Sequence, residues 1–449
     1  MGPFNPDELA RFARYYGFHY DRIDPPALAQ DALTAMERGL NGHASSLPMI
    51  PAYISPAPRA PAGKTVIALD AGGTNLRAAL VRFDQQGKAA AEHAVKSFMP
   101  GTRGGVTKTE FFDHLAGIAG PLIEKAPDVE GIGFTFSYPM AITRGADGIL
   151  LAFSKEVDAP EVIGQAIGQG LREALERRNL QAPARIALLN DTAATLLAGI
   201  SAIPALGGLE GPVRSGAAPG PVIGFILGTG FNSAYPETAI PKRGFASETA
   251  PQVVVCESGA FDHRYSGFLD KEYDMSTKNP GAYTLEKAAS GAYLGPLTWH
   301  ILKQAVKDGV VRLKNAGAFL SMPAVQTKDV NDFMYAPLSG EGVIAGLFEP
   351  DEGDALSSFA YLISIITQRA GILSAAMVAA AVERTGWRDP FAPVRIAVEG
   401  TTYMRYKGMR KTLESYLHTI LTRTTPCQYI IAPVEQASLF GAATAAAQQ

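Results

Sequence analysis

Two segments of the chain share an apolar strand pattern that runs into a glycine turn. One is VIALDAGGTN at 66–75 and the other is VIGFILGTGF at 222–231, and aligning them places Gly72 on Gly228. A second strand-like run follows each turn, so each segment predicts a β-hairpin. Their spacing of about 155 residues indicates an internal duplication, and hence a fold with two similar halves. Because the match is short and rests on glycine, two unrelated hairpins remain the alternative.

The first glycine turn has the composition of an anion-binding site. Glycine lets backbone N–H groups approach a ligand closely, and Thr74, Asn75 and Arg77 add side-chain donors. Neither GxxxxGK[ST] nor a GxGxxG between a strand and a helix occurs, which excludes a P-loop and a dinucleotide fingerprint. A purely structural type I′ or II′ turn is the alternative for either hairpin. Since Asp70 is aligned with Ile226, we expect a duplicated phosphate site to carry its carboxylate on one side only.

Strands alternate with helices after residue 65, which predicts an α/β fold with a partly parallel sheet. The strand-like segments are 66–70, 76–83, 131–136 and 185–189, and helical patterns cover 107–126, 160–179 and 192–201. Ahead of them, residues 7–40 predict a helix. The proline-rich stretch at 47–64 predicts an extended connector, because proline supplies no backbone donor to a helix or a strand ladder.

The composition predicts a large buried core. Of its residues, 47% are hydrophobic and 18% are charged. The length of 449 residues predicts two or three folding units. The net charge of -3 provides no broad positive field, so we expect no nucleic-acid partner. The most apolar run, at 370–382, is flanked by charged residues and is shorter than the ~20 residues that cross a bilayer. It therefore predicts a buried helix, and we expect no membrane partner.

The cysteines and the first residues bear on the cellular compartment. Cys256 and Cys427 are too few for a disulfide scaffold and are typical of small buried apolar side chains. The N-terminal sequence MGPFNPDELARFARYY lacks the uninterrupted apolar stretch of a secretory signal. We therefore expect a cytoplasmic protein.

Seven motifs occur in an order that is specific when they are taken together. They are DAGGTNLR (70–77), GFTFSYP (133–139), LLNDTAATLLAG (188–199), GFILGTGFNSAY (224–235), CESGAFD (256–262), NPGAYTLEKAASGAYLG (279–295) and SLFGAATAAA (438–447). From about residue 65 onward, the chain resembles the hexokinase family of sugar kinases within the actin-like ATPase superfamily. The resemblance implies a two-lobed, ribonuclease H-like α/β fold, with mixed sheets flanked by helices and a cleft that closes over a hexose.

The resemblance also implies an activity and a division of the chain. The activity is that of a hexokinase, which transfers the γ-phosphoryl group of MgATP to the 6-hydroxyl group of a hexose, with glucose as the leading substrate. The small lobe is expected at 65–190 with the helix at 436–449, the large lobe at 191–435, and 1–64 on the large lobe. The alternatives are a kinase for another hexose, a non-catalytic sugar sensor and an actin-like ATPase. Either a monomer or a homodimer is compatible with the sequence.

The pair Asn190 and Asp191 follows a predicted strand, which is where α/β folds place their sites. From the residues alone, Asp191 is either a catalytic base or the cap of the next helix. The resemblance implies that Asp191 is the base and that Lys155 orients the 6-hydroxyl group. Without the resemblance, Lys155, Glu257 and Glu286 would each be interpreted as exposed charged residues. The implied sugar contacts are Ser154, Lys155, Asn190, Asp191, Asn232, Glu257 and Glu286.

The resemblance places the nucleotide between the two glycine turns. Asp70 would hold Mg²⁺ through water, because this ion keeps several waters when it binds one carboxylate and phosphates. An Asp that stabilises its own turn is the alternative. The implied contacts to the nucleotide are Asp70, Gly72, Gly73, Thr74, Asn75 and Arg77 in one lobe, and Gly228, Thr229, Gly230, Gly400 and Thr401 in the other.

Two positions depart from the pattern of the family. The adenosine motif reads VEGTTYMRY at 398–406 and has Glu399 where the family has Asp. Ala292 stands where many relatives have a lysine near the nucleotide, which leaves Lys287 or Arg77 to contact phosphate. The small sugar kinases that act on N-acetylated hexoses commonly carry a zinc cluster, and two distant cysteines do not suit one.

Overall fold

The chain is described by a computed structural model over residues 4–56, 61–153, 157–202, 219–242, 250–424 and 427–448. Its strands are β1 (Ile50–Pro51), β2 (Thr65–Gly72), β3 (Asn75–Phe83), β4 (Ala89–Phe98), β5 (Gly131–Phe136), β6 (Met140–Ile142), β7 (Gly148–Leu150), β8 (Arg185–Leu189), β9 (Val222–Leu227), β10 (Phe231–Glu237), β11 (Gln252–Val255), β12 (Val394–Glu399) and β13 (Tyr429–Pro433). Its helices are α1 (Pro6–Tyr15), α2 (Pro25–Leu40), α3 (Lys108–Lys125), α4 (Ile167–Arg177), α5 (Asp191–Ser201), α6 (Phe268–Met275), α7 (Thr284–Ala289), α8 (Leu294–Lys307), α9 (Ala316–Ser321), α10 (Thr327–Tyr335), α11 (Gly353–Arg384), α12 (Thr401–Arg405), α13 (Met409–Thr424) and α14 (Ala437–Ala447).

Two sheets have the same strand order. The five-stranded sheet runs β4-β3-β2-β5-β8, and the six-stranded sheet runs β11-β10-β9-β12-β13 with the short β1 outside β11. In each sheet the first three strands are antiparallel, and the last two run parallel to the third. The matching order confirms the two similar halves and the partly parallel α/β arrangement that the sequence predicts.

The two glycine hairpins differ in the length of their turns. Gly72 pairs with Asn75, whereas Leu227 pairs with Phe231, so the second turn is one residue longer. Gly73 lies in the first turn with φ of 77°, a conformation that favours glycine. The predicted hairpins are confirmed, although their loops are not superposable residue by residue.

The predicted helices agree with the structure less evenly. The helix predicted at 107–126 is α3, which begins with a reciprocal capping box between Thr107 and Glu110. The single helix predicted at 7–40 is wrong, because Gly17 turns the chain at φ of 80° and Pro25 starts the separate helix α2. The helix predicted at 160–179 is shorter, since Gly164 has φ of 83° and α4 begins only at Ile167.

The apolar run at 370–382 lies inside α11, which has 32 residues. By length and composition alone α11 could cross a membrane, but 94% of its most apolar window is buried inside the protein. The buried helix predicted from the sequence is therefore confirmed, and it is longer than the apolar run. The N-terminal helices α1 and α2 pack against it.

Buried apolar side chains form three clusters. One lies in the half built on the smaller sheet and includes Phe111 and Phe134, and another lies in the larger half and includes Trp299 and Phe359. The third contains side chains from both sheets, from α5 and from α14.

The helix α14 packs closely against both α5 and the smaller sheet. A Cβ atom on Gly133 would lie 1.8 Å from the carbonyl oxygen of Ala442, and one on Gly441 would lie 1.9 Å from that of Ala194. Only glycine allows these backbones to touch. The predicted division of the chain at residues 64, 190 and 435 stays a prediction.

Candidate active site

Five carboxyl groups come together where the two sheets face each other. Asp70 lies in β2 and Asp191 directly follows β8, while Glu257 follows β11, Glu399 ends β12 and Glu286 lies in α7. Burial is the largest cause of a raised pKa in each of the four groups other than Asp191, and the negative charge of Asp191 raises each pKa further. The carboxylate of Asp191 therefore lies within electrostatic reach of all four.

Asp191 is the first residue of α5, and Asn190 caps that helix. The side chain of Asn190 accepts a hydrogen bond from the N–H of Thr192 at 2.8 Å. Capping by Asp191, which the sequence leaves open, is therefore wrong. Thr192 donates its hydroxyl to the Asp191 carboxylate at 3.2 Å. Since the first turn of a helix favours negative charge, the position suits an ionised Asp191 side chain.

Asn232 and Glu257 form one wall of the site. Nδ2 of Asn232 donates to Oε1 of Glu257 at 3.1 Å, and Oδ1 of Asn232 accepts from the N–H of Ser258 at 3.1 Å. Burial raises the pKa of Glu257 to about 7, against the effect of the Asn232 hydrogen bond. Glu257 also has φ of 55°, a strained conformation for a residue with a side chain, and such strain clusters at functional sites.

Glu286 approaches the same wall from α7. Its Oε2 atom accepts a hydrogen bond from the N–H of Phe231 at 3.1 Å. Burial raises the pKa of Glu286, although this hydrogen bond opposes the change. A Cβ atom on Gly230 would lie 3.2 Å from the same carboxylate oxygen, so the second glycine turn and Glu286 are in contact. The structure thus brings Asn232, Glu257 and Glu286 together with Asp191, as predicted.

The second glycine turn is fixed by two other segments. The carbonyl of Gly228 accepts from the N–H of Gly291 at 2.7 Å and from the hydroxyl of Thr402 at 2.8 Å. The carbonyl of Thr229 accepts from the N–H of Ala292 at 3.0 Å. The backbone of Ala292 therefore supports the turn.

The segment at Gly400 and Thr401 lies directly beside this turn. Gly400 has φ of 127°, and a Cβ atom there would lie 2.3 Å from the carbonyl carbon of Leu227. The side chain of Thr401 is exposed at the start of α12. The structure therefore brings the predicted adenosine motif and the second glycine turn together.

Hydrogen bonds to two of its carbonyl groups fix the first glycine turn. The hydroxyl of Tyr138 donates to the carbonyl of Gly73, and the N–H of Met99 donates to that of Thr74 at 2.9 Å. The side chains of Thr74 and Asn75 are exposed. Gly72, which closes the hairpin beside them, is exposed as well.

Asp70 lies beside the first turn and opposite Arg77 in the hairpin register. Burial raises the pKa of Asp70 to about 6, Arg77 lowers it and Asp191 raises it. Within the described ranges, no group of three or more His, Cys, Asp or Glu residues could hold a metal directly. A magnesium ion that keeps its waters and binds phosphate oxygens needs fewer protein ligands, so a single Asp beside a glycine turn fits it.

The sequence motif of Glu399 did not indicate which residue it lies next to in the sheet. In the parallel register of β9 and β12 it pairs with Ile226, the position aligned with Asp70. Paired residues of neighbouring strands point to the same face, so β12 supplies next to Ile226 a carboxyl group that β9 lacks. Burial raises the pKa of Glu399 to about 7, and Asp191 and Asp70 add to this. The expectation of a carboxylate on one side only is therefore wrong.

Ser154 and Lys155 lie outside the described residues. Lys287 is buried, pairs with Asp274 and donates to the carbonyl of Asn279 at 2.7 Å, so it is not available to contact phosphate. Of the two cations predicted to contact phosphate, Arg77 remains, and its side chain is exposed beside the first turn.

Sequence reasoning missed Thr195 and Thr402. The hydroxyl of Thr195 donates to the carbonyl of Asp191 at 3.0 Å and lies 3.5 Å from Oε2 of Glu399. Its position one helical turn after Asp191 was a usable signal, because residues four apart share a helix face. No signal in the sequence pointed to Thr402, whose partner Gly228 lies far away in the chain.

Two protein-family models, both described as hexokinase, match the chain over residues 222–448 and 16–201. Mouse hexokinase-3 is 31% identical over 413 residues, which cover 87% of this chain but 42% of that protein. Hexokinase-2 of Saccharomyces cerevisiae is 26% identical over 447 residues, which cover 94% of this chain and 88% of that protein. The chain thus spans less than half the length of the mouse relative and most of the yeast relative.

Solved structures agree in fold. A hexokinase from Schistosoma mansoni complexed with glucose has a TM-score of 0.75 and 23% identity, and the match covers 99% of this chain and 100% of that one. Another hexokinase crystal structure has a TM-score of 0.79 and 22% identity, with 98% and 99% covered. The two-lobed actin-like fold predicted from the motifs is confirmed.

Proposed function

Because this chain belongs to the hexokinase family, we propose that it transfers the γ-phosphoryl group of ATP to the 6-hydroxyl group of glucose. The observation that carries the proposal is the position of Asp191. Its charge acts on the carboxyl groups of Glu257 and Glu286 and also on those of Asp70 and Glu399. A base at this position can take a proton from a sugar hydroxyl group that Glu257 and Glu286 bind. The phosphates of the nucleotide approach it from Asp70 and Glu399.

Sugar hydroxyl groups bind to the wall formed by Asn232, Glu257 and Glu286. A carboxyl group accepts hydrogen bonds when it is ionised and can also donate one when it is protonated, so each sugar hydroxyl group at this wall needs a matching partner. A ligand that lacks one hydroxyl leaves a buried acceptor unpaired, which is the basis for selecting a sugar. Asn190 and Ser154 are further contacts in this proposal.

The reaction begins with Asp191. Its carboxylate takes the proton of the 6-hydroxyl group as the hydroxyl oxygen attacks the γ-phosphorus, and the bond from that phosphorus to the ADP oxygen breaks. The start of α5 stabilises the negative charge of Asp191 beforehand, and Thr192 orients the carboxylate. Lys155 orients the 6-hydroxyl group in this proposal.

The nucleotide lies between the two glycine turns. Gly72, Gly73, Thr74 and Asn75 bind its phosphates from the smaller sheet, and the turn at 228–230 binds them from the larger one. Arg77 adds a positive charge, and Gly400 and Thr401 contact the adenosine. When bound, Mg²⁺ neutralises charge on the phosphate oxygens, and Asp70 holds it through water.

A coupled assay tests the function directly. The purified chain is supplied with MgATP and separately with glucose, mannose, fructose and glucosamine, and ADP release is followed while ³¹P NMR locates the new phosphate ester. We expect glucose-dependent ADP release and an ester on the 6-oxygen. Glucose binding without ADP would indicate a sensor, and ADP release that is independent of sugar would indicate an ATPase. Either outcome would overturn the proposal.

A further inference from the structure

The face of the smaller sheet that carries Asp70 also carries cations on the next two strands. Asp70 of β2 is paired with Arg77 of β3, and Arg77 is paired with Lys96 of the edge strand β4. Paired residues of neighbouring strands point to the same face. Asn75 and Phe98, which are paired with each other two residues further along β3 and β4, therefore share this face as well.

Arg103 reaches the same face from the loop that follows β4. The central carbon of its guanidinium group, Cζ, lies 3.2 Å from the centroid of the Phe98 ring. Guanidinium groups stack favourably on aromatic faces, and the Phe98 side chain is 47% exposed. Because Phe98 is paired with Asn75, this contact holds the guanidinium group of Arg103 beside the first glycine turn.

Backbone hydrogen bonds fix the loop that carries Arg103 at both of its sides. The N–H of Met99 donates to the carbonyl of Thr74 in the first glycine turn at 2.9 Å. On the other side, the carbonyl of Gly101 accepts from the N–H of Asp158 at 2.8 Å. The position of Arg103 relative to the turn is thus set by the backbone and not only by its own flexible side chain.

The cations on this face have no carboxylate partner. Arg77, Lys96 and Arg103 are exposed, and none of them forms an ion pair or a side-chain hydrogen bond with a residue in the described ranges. The paired positions described above add one acid, Asp70. Like charges that lie together repel one another, and they attract a ligand that carries several negative charges. We call Arg77, Lys96 and Arg103 the basic surface.

We propose that Lys96 and Arg103 bind the phosphate groups of the nucleotide together with Arg77, and that Phe98 positions Arg103. The inference rests on the proposed function, which places these phosphates at the first glycine turn. A guanidinium group can form two parallel charge-assisted hydrogen bonds to phosphate oxygens, and an ammonium group adds a point charge. The phosphates therefore lie between the N–H groups of the glycine turn and the basic surface.

Binding measurements without turnover test the two new contacts. Calorimetry with MgATP, and separately with glucose, compares the wild type with Lys96→Gln, Arg103→Gln and the control Arg11→Gln. Arg11 is an exposed arginine of α1, which packs against α11. We expect the Kd for MgATP to rise about fivefold or more in Lys96→Gln and in Arg103→Gln and to stay unchanged in Arg11→Gln. The Kd for glucose should stay within about twofold of the wild type in all three.

Salt gives a readout that a merely structural role would not move. Exposed charges are screened by salt, so the difference in MgATP affinity between the wild type and either variant should shrink at about 1 M salt. A difference that persists at high salt, or a glucose Kd that rises as much as the MgATP Kd, would show a structural effect and would overturn the inference.

The positioning role of Phe98 has its own test. Phe98→Ala removes the ring beneath Arg103, whereas Phe98→Tyr keeps an aromatic face. We expect the Kd for MgATP to rise about threefold or more in Phe98→Ala and to stay within about twofold of the wild type in Phe98→Tyr. Added to Arg103→Gln, Phe98→Ala should have almost no further effect, because the ring acts through the guanidinium group.

The outcomes separate this inference from the proposed function. A wild type that binds MgATP, together with a Kd within about twofold of it in both Lys96→Gln and Arg103→Gln, would overturn the inference alone. A wild type that binds no MgATP would overturn both. Circular dichroism checks that each variant is folded, and the exposed positions of Lys96 and Arg103 favour this.

Discussion

The side-chain amide of Asn232 connects the carboxylate of Glu257 to the backbone that carries it. Its Nδ2 atom donates to Oε1 of Glu257 at 3.1 Å, while its Oδ1 atom accepts from the N–H of Ser258, the next residue, at 3.1 Å. One side chain thus fixes both the carboxylate and the strained backbone of Glu257, whose φ is 55°.

Replacing Asn232 by Ala should weaken sugar binding and spare nucleotide binding. The change leaves a buried carboxylate and a backbone N–H without a partner, at a cost of about 1–3 kcal/mol. We expect the glucose Kd measured by calorimetry to rise by about tenfold to a hundredfold, and the Kd for ATP to change little. Asn315→Ala, at an exposed position, serves as the control. An unchanged glucose Kd would show that Asn232 does not position Glu257 for the sugar.

Asp191→Asn should separate chemistry from binding. The amide keeps the shape of the side chain and cannot take a proton from the 6-hydroxyl group, so kcat should fall by about 10²–10⁴. The glucose Kd should stay within about fivefold of the wild type, because the contacts at Asn232 and Glu257 remain. Rapid-quench and calorimetric measurements give the two quantities. A variant that is folded and turns over near the wild-type rate would refute the assignment of the base.

Gly291→Ala should displace the second glycine turn. The added Cβ atom would lie 2.4 Å from the hydroxyl of Thr402 and 2.7 Å from the carbonyl of Gly228, two groups that bond to each other. Overpacking of this kind costs about 1–3 kcal/mol, and the KM for ATP should rise more than the KM for glucose. Gly317→Ala, where nothing lies within 4 Å of the new atom, should leave both KM values unchanged. Equal KM values in the two variants would contradict the role given to this turn.

Glu399→Gln should stabilise the protein at alkaline pH. Burial raises the pKa of Glu399 from 4.5 to about 7, so the folded protein binds this proton more tightly than the unfolded chain. The contribution of Glu399 to the free energy of unfolding is complete at a pH below its pKa in the unfolded chain. It is lost as the pH rises through its pKa in the folded protein. We expect the variant to gain about 2 kcal/mol of unfolding free energy over the wild type at pH 8, and much less at pH 5.

Urea denaturation at the two pH values measures the effect of Glu399→Gln. Glu341→Gln, at an exposed position, serves as the control for removing one carboxylate from the protein. A gain from Glu399→Gln that is equal at both pH values would show that Glu399 is not destabilised by burial.

Local sequence patterns were sufficient to predict those elements whose structure depends on residues close together in the chain. All six residues of the strand at 131–136 are buried, as its apolar run predicts, and the hairpin at Asp70 is set by its own glycine turn. The position of Asp191 followed from a strand end. The break between α1 and α2 was missed because Gly17 and Pro25 stand within an otherwise helical pattern.

The rest of the site depends on register between distant segments. Glu399 reaches the carboxyl cluster because β12 pairs with β9 in a parallel register, which no local pattern encodes. From the sequence alone, Lys287 would be predicted to be exposed, like most lysines in helices. In the structure it pairs with Asp274, which lies on another helix. Thr402 supports Gly228 through the same pairing of β9 and β12. Contacts of this kind follow from the assembled sheets and not from the spacing of residues.

The close packing of Gly133 against Ala442 has a consequence for synthesis of the chain. The strands of the smaller sheet are complete at Leu189, but the helix that covers one face of this sheet begins only at Ala437. On the ribosome, the smaller sheet therefore keeps that face uncovered while strands β9 to β13 of the six-stranded sheet are made. Domains usually fold as units in the order in which they emerge. Here the half that emerges first can be finished only by the last helix, so we expect the nascent chain to need protection by chaperones until α14 is released.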